Sequence, residues 1–231
     1  MTRLRDEPMR ELIEEIVQGD VKPGEKLDKE TDLEKRFGIS RGVVREVIRG
    51  LEERGLVTVT HGRGQIVRDP VHWHVLDTEV LTAMLGGPER AQLVEEALEF
   101  QRFLGPEGAA LAASRAGADA VDEIRRAQEA VVGAATRAGR SDASAQRYRE
   151  ADYAFHAAVL RASGNRILAR MSEPLHQALV AMGVDEGDPK RRVAEHERVV
   201  EAIAGGDAEA ARVAMADHLA ASPKRGRRRG R

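Results

Sequence analysis

Gly38-Ile39-Ser40-Arg41-Gly42-Val43-Val44-Arg45-Glu46-Val47-Ile48-Arg49-Gly50-Leu51-Glu52-Glu53-Arg54-Gly55-Leu56 decides the fold of the front of this chain. It reads as a turn, a capped helix and a stop. Ser40 is a suitable N-cap, whose hydroxyl can take an orphan backbone N–H of the first turn. Val43, Val44, Val47, Ile48 and Leu51 recur at helical spacing and form one apolar face. Arg41, Arg45 and Arg49, spaced i, i+4, i+8, share a different, solvated face. Gly55 ends the helix. An N-terminal turn of Arg, Gly and Arg suits the major groove of DNA. Gly42 lets the backbone approach, and a guanidinium can fork onto guanine O6 and N7 or grip phosphate.

The flanks extend this reading. Upstream, Glu30 to Phe37 is a short amphipathic helix stopping at Gly38, which gives helix, tight turn, helix. Downstream, Leu56–Thr60 and Gly64–Arg68 are β-rich runs around His61-Gly62-Arg63-Gly64, a hairpin with a basic, glycine-containing tip. Such a tip is small enough to enter a minor groove or lie on phosphates. The expected module is a winged helix-turn-helix over residues 1–69. Its DNA contacts are expected at Arg41, Gly42, Arg45 and Arg49 on the helix and His61, Gly62 and Arg63 on the wing. The plainer alternative for any single arginine is a solvated charged face.

Residues 9–69 resemble the N-terminal domain of GntR-family transcription regulators. The resemblance rests on Gly19-Asp20-Val21-Lys22-Pro23-Gly24-Glu25-Lys26-Leu27, Glu30, Leu33, Phe37-Gly38-Ile39-Ser40-Arg41, Val44-Arg45-Glu46, Leu51, Gly55-Leu56-Val57 and Gly62-Arg63-Gly64. It implies base or phosphate contacts by Arg41, Gly42 and Arg45 and wing contacts by His61 and Gly62. One position departs: Thr31 stands where many members carry an arginine that touches DNA.

The chain has 231 residues, no cysteine and a formal net charge of −2. Disulfides and thiolate metal sites are excluded. No apolar run approaches the ~18–20 residues of a membrane span. The charged stretch from Arg3 to Glu15 does not look like a signal peptide, so a cytoplasmic protein is expected. The overall charge argues against nucleic acid, but Lys35, Arg36, Arg41, Arg45, Arg49, Arg54, Arg63 and Arg68 crowd the first domain, and the local field is what DNA meets.

Residues 70–77 read as a linker and the start of a bundle, 78–221 as an all-α domain of six or seven helices, and 222–231 as a disordered basic tail. Within the bundle Asp152 and His156 lie i, i+4 on one helix face. His196 falls about ten residues before the Gly205-Gly206 turn and His218 about twelve after it. At ~1.5 Å per residue an antiparallel hairpin brings them to nearly one height. Three imidazoles and a carboxylate suit Zn, Ni, Mn or Fe. Each histidine alone reads more simply as an ordinary surface or core residue, and it is the combination that points to a ligand set; His72, His74 and His176 keep the plain reading.

Asp152-Tyr153-Ala154-Phe155-His156, Ala162-Ser163-Gly164-Asn165, Glu195-His196, Gly206-Asp207-Ala208-Glu209-Ala210-Ala211 and Met215-Ala216-Asp217-His218-Leu219 resemble the FCD ligand-binding domain of the FadR subfamily. The resemblance implies one divalent metal, most simply Zn, Ni or Mn, on Asp152, His156, His196 and His218. It also implies a small carboxylate effector, a hydroxy acid or sugar acid, contacted by Arg102 and Asn165. Gly105 departs from a common glutamate, and Gly105-Pro106 is a place for a kink. The expected protein is a ligand-responsive regulator, a repressor in its usual polarity, that reads a palindromic double-stranded operator as a homodimer. A direct metal sensor and a metal-dependent enzyme are the alternatives. The enzyme reading lacks an accompanying base or nucleophile motif.

Overall fold

The computed structural model describes residues 2–60, 62, 64–181, 183 and 187–220. Among them are ten α-helices and one two-stranded sheet, and the chain divides into two compact units, residues 1–94 and 95–231.

The first unit is a winged helix. Helix α1 (Thr2–Gln18) buries Met9, Leu12, Ile13 and Ile16, one stripe at helical spacing. Against it stand α2 (Glu30–Phe37) and α3 (Arg41–Glu53), the latter through Val44, Val47, Ile48 and Leu51. Gly38 closes α2 in the left-handed region at φ 63°, the conformation that lets the chain turn at once into α3. Gly55, at φ 74°, has the His72 carbonyl where a Cβ would stand, 2.1 Å away, so no other residue fits. Strands β1 (Val57–Thr60) and β2 (Gly64–Val67) pair antiparallel, Val57 opposite Val67 and Thr60 opposite Gly64. Lys26 bridges to Ile66 and ties the loop before α2 to the wing. Ser40 occupies the N-cap of α3 in extended geometry, but its hydroxyl makes no capping hydrogen bond, contrary to expectation. The helix starts on the Ser40 carbonyl, which accepts from Val44 N at 3.0 Å.

Helix α4 (Thr78–Gly86) belongs to this unit. The sequence places the start of the all-α domain at residue 78, whereas the compact units divide after Val94. Asp77 caps it, and Arg54 clamps the cap through Asp77 Oδ1 at 3.2 Å and through Glu79. Val80 and Ala83 then enter the core of the winged helix. The apolar stripe of α4 has the composition of the later helices, so sequence alone did not separate them.

The second unit is all-α: α5 (Arg90–Arg115, from Glu95 onward), α6 (Ala118–Ala135), α7 (Asp142–Ala162), α8 (Arg166–Ala181), α9 (Pro189–Ala204) and α10 (Ala208–Ala220). Helix α7 starts at Asp142, where Ser141 and Ser144 form a reciprocal capping box. Helix α5 runs through Pro106 without interruption. The core is alanine-rich (Ala109, Ala112, Ala158, Ala211) around Phe155, Val159, Val199, Ile203 and Met215. Small residues bring helices close: a Cβ on Gly105 would lie 2.5 Å from Leu219 Cδ1. A side chain at position 105 would require Leu219 to shift.

Candidate metal centre and nucleic-acid interface

Helix α7 supplies Asp152 and His156, α9 supplies His196 and α10 supplies His218; all four are buried. The α9–α10 turn at Gly205-Gly206 puts His196 Nε2 and His218 Nε2 3.1 Å apart, and His156 Nε2 is 3.1 Å from His218 Nε2. One ring nitrogen from each histidine lies within 4.8 Å of the other two. Asp152 Oδ2 is 3.5 Å from His156 Nε2, and Oδ1 is 3.4 Å from His196 Nε2. The four side chains singled out in the sequence therefore meet at one point.

Two tautomers follow from what surrounds them. Gln128 donates its amide to the Val193 carbonyl at 3.0 Å, which turns its oxygen toward His196 Nδ1 at 3.2 Å. The Glu195 carboxylate, held by Arg191 at 3.2 Å, faces His218 Nδ1 at 3.2 Å. Both acceptors require Nδ1–H, so each ring presents its Nε2 lone pair inward. Burial above all keeps the rings neutral. It holds His156 at about 3 and His196 at about 4, with the Asp152 charge pulling the other way. His218 is depressed by burial and by His156 and Arg192. The Nε2 atoms of His196 and His218 stand 3.1 Å apart, with the Arg192 guanidinium 3.1 Å from His218 Nε2. Donors at right angles on bonds of ~2.1 Å end ~3.0 Å apart, so the donor set fits a divalent ion.

Sequence reasoning missed Arg192, Gln128 and Glu195. Arg192 is buried, with Nε 3.4 Å from Asp152 Oδ1, Nη2 3.3 Å from Asp152 Oδ2 and Nη2 3.1 Å from His218 Nε2. Its place four residues before His196, on the same face, was the available signal. Gln128 lies on α6 and nothing local marks it. His176 is also buried, 6.0 Å ring to ring from His156 and 5.4 Å from Tyr153, with burial holding it at about 3.

A cavity of about 20 Å³ lies beside His156, lined also by Gln101, Leu104, Gly105, Ser172 and His176. That is room for one water. Arg102, the expected effector contact, pairs with Glu95 at 2.7 Å along its own helix. Asn165 caps α8 by accepting from Ile167 N and Leu168 N. It also lines a groove of about 450 Å³ with Tyr153, Arg161, Arg166, Arg170 and His176. Leu160, Ser172 and His176 border both spaces.

In the first unit Arg41, Arg45 and Arg49 have side chains 65%, 63% and 72% exposed. Arg41 Nε and Arg45 Nε both reach Glu30 Oε2, at 3.1 and 3.3 Å, and Arg49 pairs with Glu53 at 3.0 Å. Burial would raise Glu30, but hydrogen bonds from the two arginines outweigh it and hold the carboxyl below its ordinary range. Gly42 is exposed, and the nearest atom to an added Cβ is Ser40 Oγ at 3.9 Å, so internal packing does not demand glycine there. Not every cation of this unit is available to a partner. Arg36 is bound to Glu11 and Glu15, and Arg54 to Asp77 and Glu79. Gly62 is exposed at the wing turn with φ 78°, whereas His61 and Arg63 lie outside the described residues, as does the 222–231 tail.

Residues 5–67 match the model of bacterial regulatory proteins of the gntR family, and residues 96–221 match the FCD domain. The chain belongs to the GntR family, in its FCD-bearing branch, and is a transcriptional regulator, not an enzyme. It is 31% identical over 220 residues to the galactonate operon transcriptional repressor of Escherichia coli K12, covering 93% of both chains. It is 30% identical over 214 residues to the HTH-type transcriptional regulator LutR of Bacillus subtilis 168, covering 88% of this chain and 92% of that one. In fold it is similar to a GntR protein of Streptococcus agalactiae, with TM-score 0.55 at 20% identity over 94% of this chain and 97% of the other. Among the described residues no helix is long and apolar enough to cross a membrane.

Proposed function

We propose that this regulator is a cytoplasmic homodimer that represses from a palindromic operator and is released by a small carboxylate sensed at a metal centre. The carrying observation is the convergence of His156, His196, His218 and Asp152 in the unit fused to the winged helix. In this reading those four residues hold one divalent ion (Zn, Ni or Mn), which supplies a Lewis-acidic point for a carboxylate or hydroxyl oxygen. Arg41, Gly42, Arg45 and Arg49 meet DNA, with His61, Gly62 and Arg63 on the wing. Arg41 and Arg45 exchange Glu30 for phosphate or base edges. One recognition helix per chain reads few bases, so two-fold symmetry supplies the second half-site. Similarity to a galactonate operon repressor favours sugar acids as the effector class. Arg102 reaches the effector by exchanging Glu95 for its carboxylate, and Asn165 contributes from the wall of the larger groove.

A second reading has a specific observation behind it. The cavity beside His156 has room for one water, which suits a sensor whose effector is the metal itself. One experiment separates the two: operator gel shifts with the metal-free and the metal-loaded chain, each with and without a panel of aldonates and hydroxy acids. Release only with an acid supports the first reading, and release by metal alone supports the second. Metal content below about a tenth of an equivalent after careful loading would refute both.

A further inference from the structure

We propose that Arg192 is an internal competitor for the metal: its guanidinium occupies a lone pair that the ion needs, and loading the site requires it to withdraw. The inference rests on the metal reading above. Arginine only donates, so the 3.1 Å contact between Arg192 Nη2 and His218 Nε2 makes that nitrogen the acceptor. Glu195 at His218 Nδ1 enforces the same tautomer from the other side of the ring. A neutral imidazole has one lone pair in its plane. It either accepts from Arg192 or bonds an ion, and the two arrangements exclude each other. Asp152 differs, because its oxygens carry several lone pairs and can serve Arg192 and an ion together. The exclusion therefore sits at His218.

Charge leads the same way. Arg192 is buried beside Asp152, so a divalent ion arriving among these donors meets a positive charge already in place. Metal affinity is thus set below what three imidazoles and a carboxylate would give alone.

The test is Zn²⁺ affinity of the full chain, by competition with a chromophoric chelator at pH 7.5, for wild type, Arg192→Met, Arg192→Gln and Arg198→Met. Arg198 is on the same helix but exposed, and controls for the change in net charge. Arg192→Met and Arg192→Gln are expected to bind Zn²⁺ about ten- to a hundredfold more tightly, the worth of one buried charged hydrogen bond. They should also show a larger Zn²⁺-induced rise in Tm than wild type. Arg198→Met should stay within twofold. Should Arg192→Met fail to fold by circular dichroism, Arg192→Gln, which can still donate to Asp152, carries the comparison. Equal or weaker Zn²⁺ binding by a folded Arg192 variant would overturn the inference and leave the metal reading intact. Failure of wild type and variants alike to bind Zn²⁺ would overturn both.

Discussion

Acid should unravel the helical unit from the inside. His156, His176 and His196 are buried with folded pKa values of about 3, 3 and 4, and His218 is depressed as well. In the unfolded chain each returns to ~6.5. As pH falls below ~6.5 the unfolded state takes up protons that the folded state refuses. Stability from these groups is therefore complete above ~6.5 and is lost progressively down to about 3 to 4. Each imidazole can cost up to ~1.4 kcal/mol per pH unit in that window. Between pH 7.5 and 5.5 three independent groups amount to up to ~4 kcal/mol, and His218 adds to this. Against a typical domain stability of ~5–15 kcal/mol that is a large share.

Urea unfolding of the full chain in EDTA reads this directly. Far-UV circular dichroism is dominated by the helices, while the single tryptophan, Trp73, reports the first unit alone. All four histidines lie in the second unit, so the dichroism transition should move to lower urea as pH falls, with an average slope of roughly one and a half to two protons between pH 7.5 and 5.5 that steepens toward about three to four below pH 5.5. His176→Leu should reduce that steeper slope by about one proton. A midpoint unchanged from pH 7.5 to 5.5, or an equal slope in His176→Leu, would refute the reasoning.

Arg45→Ala should weaken operator binding by ~1–3 kcal/mol without altering the fold, since its side chain is exposed on α3; a gel shift at fixed salt checks it, and unchanged affinity removes Arg45 from the interface. Glu30→Gln should release Arg41 and Arg45 and raise affinity for a scrambled duplex several-fold, because a neutral amide no longer holds them. Anisotropy from 50 to 200 mM salt should show a steeper salt slope, and an identical slope would count against that role. Gly105→Glu should destabilise the helical unit by ~1–3 kcal/mol, since its Cβ alone would stand 2.5 Å from Leu219 Cδ1, and the far-UV urea midpoint reads this.

The winged helix was legible because each of its signals is local. A turn glycine, an apolar face and a stop glycine lie within nineteen consecutive residues of the sequence, Gly38–Leu56. The convergence of His196 and His218 was legible for a similar reason, since a hairpin converts sequence distance from a turn into height. What escaped depended on partners far along the chain. Arg102 turns to Glu95 rather than to the cavity, a choice among neighbouring carboxylates that no spacing encodes. Arg192 was passed over because an arginine on a charged helix reads as solvated, and only tertiary packing buries it. The docking of α4 on α1 escaped because alanine, leucine and valine stripes are interchangeable between cores.

Both candidate interfaces place arginines against carboxylates, with opposite physical consequences. On α3 the pairs are exposed, where an ion pair is worth ~0–1 kcal/mol, so a phosphate or guanine can take the place of Glu30 at little cost. Sharing one carboxylate between Arg41 and Arg45 keeps both side chains together before any base is met. At Asp152 and His218 the guanidinium is buried, and moving it exposes charges to a medium that solvates them poorly. Exchange there needs an incoming ion and anion to replace what Arg192 gives up. The surface pair therefore favours rapid sampling of DNA. The buried one favours two discrete states, which a sensing domain requires because an effector acts only through its differential affinity for them.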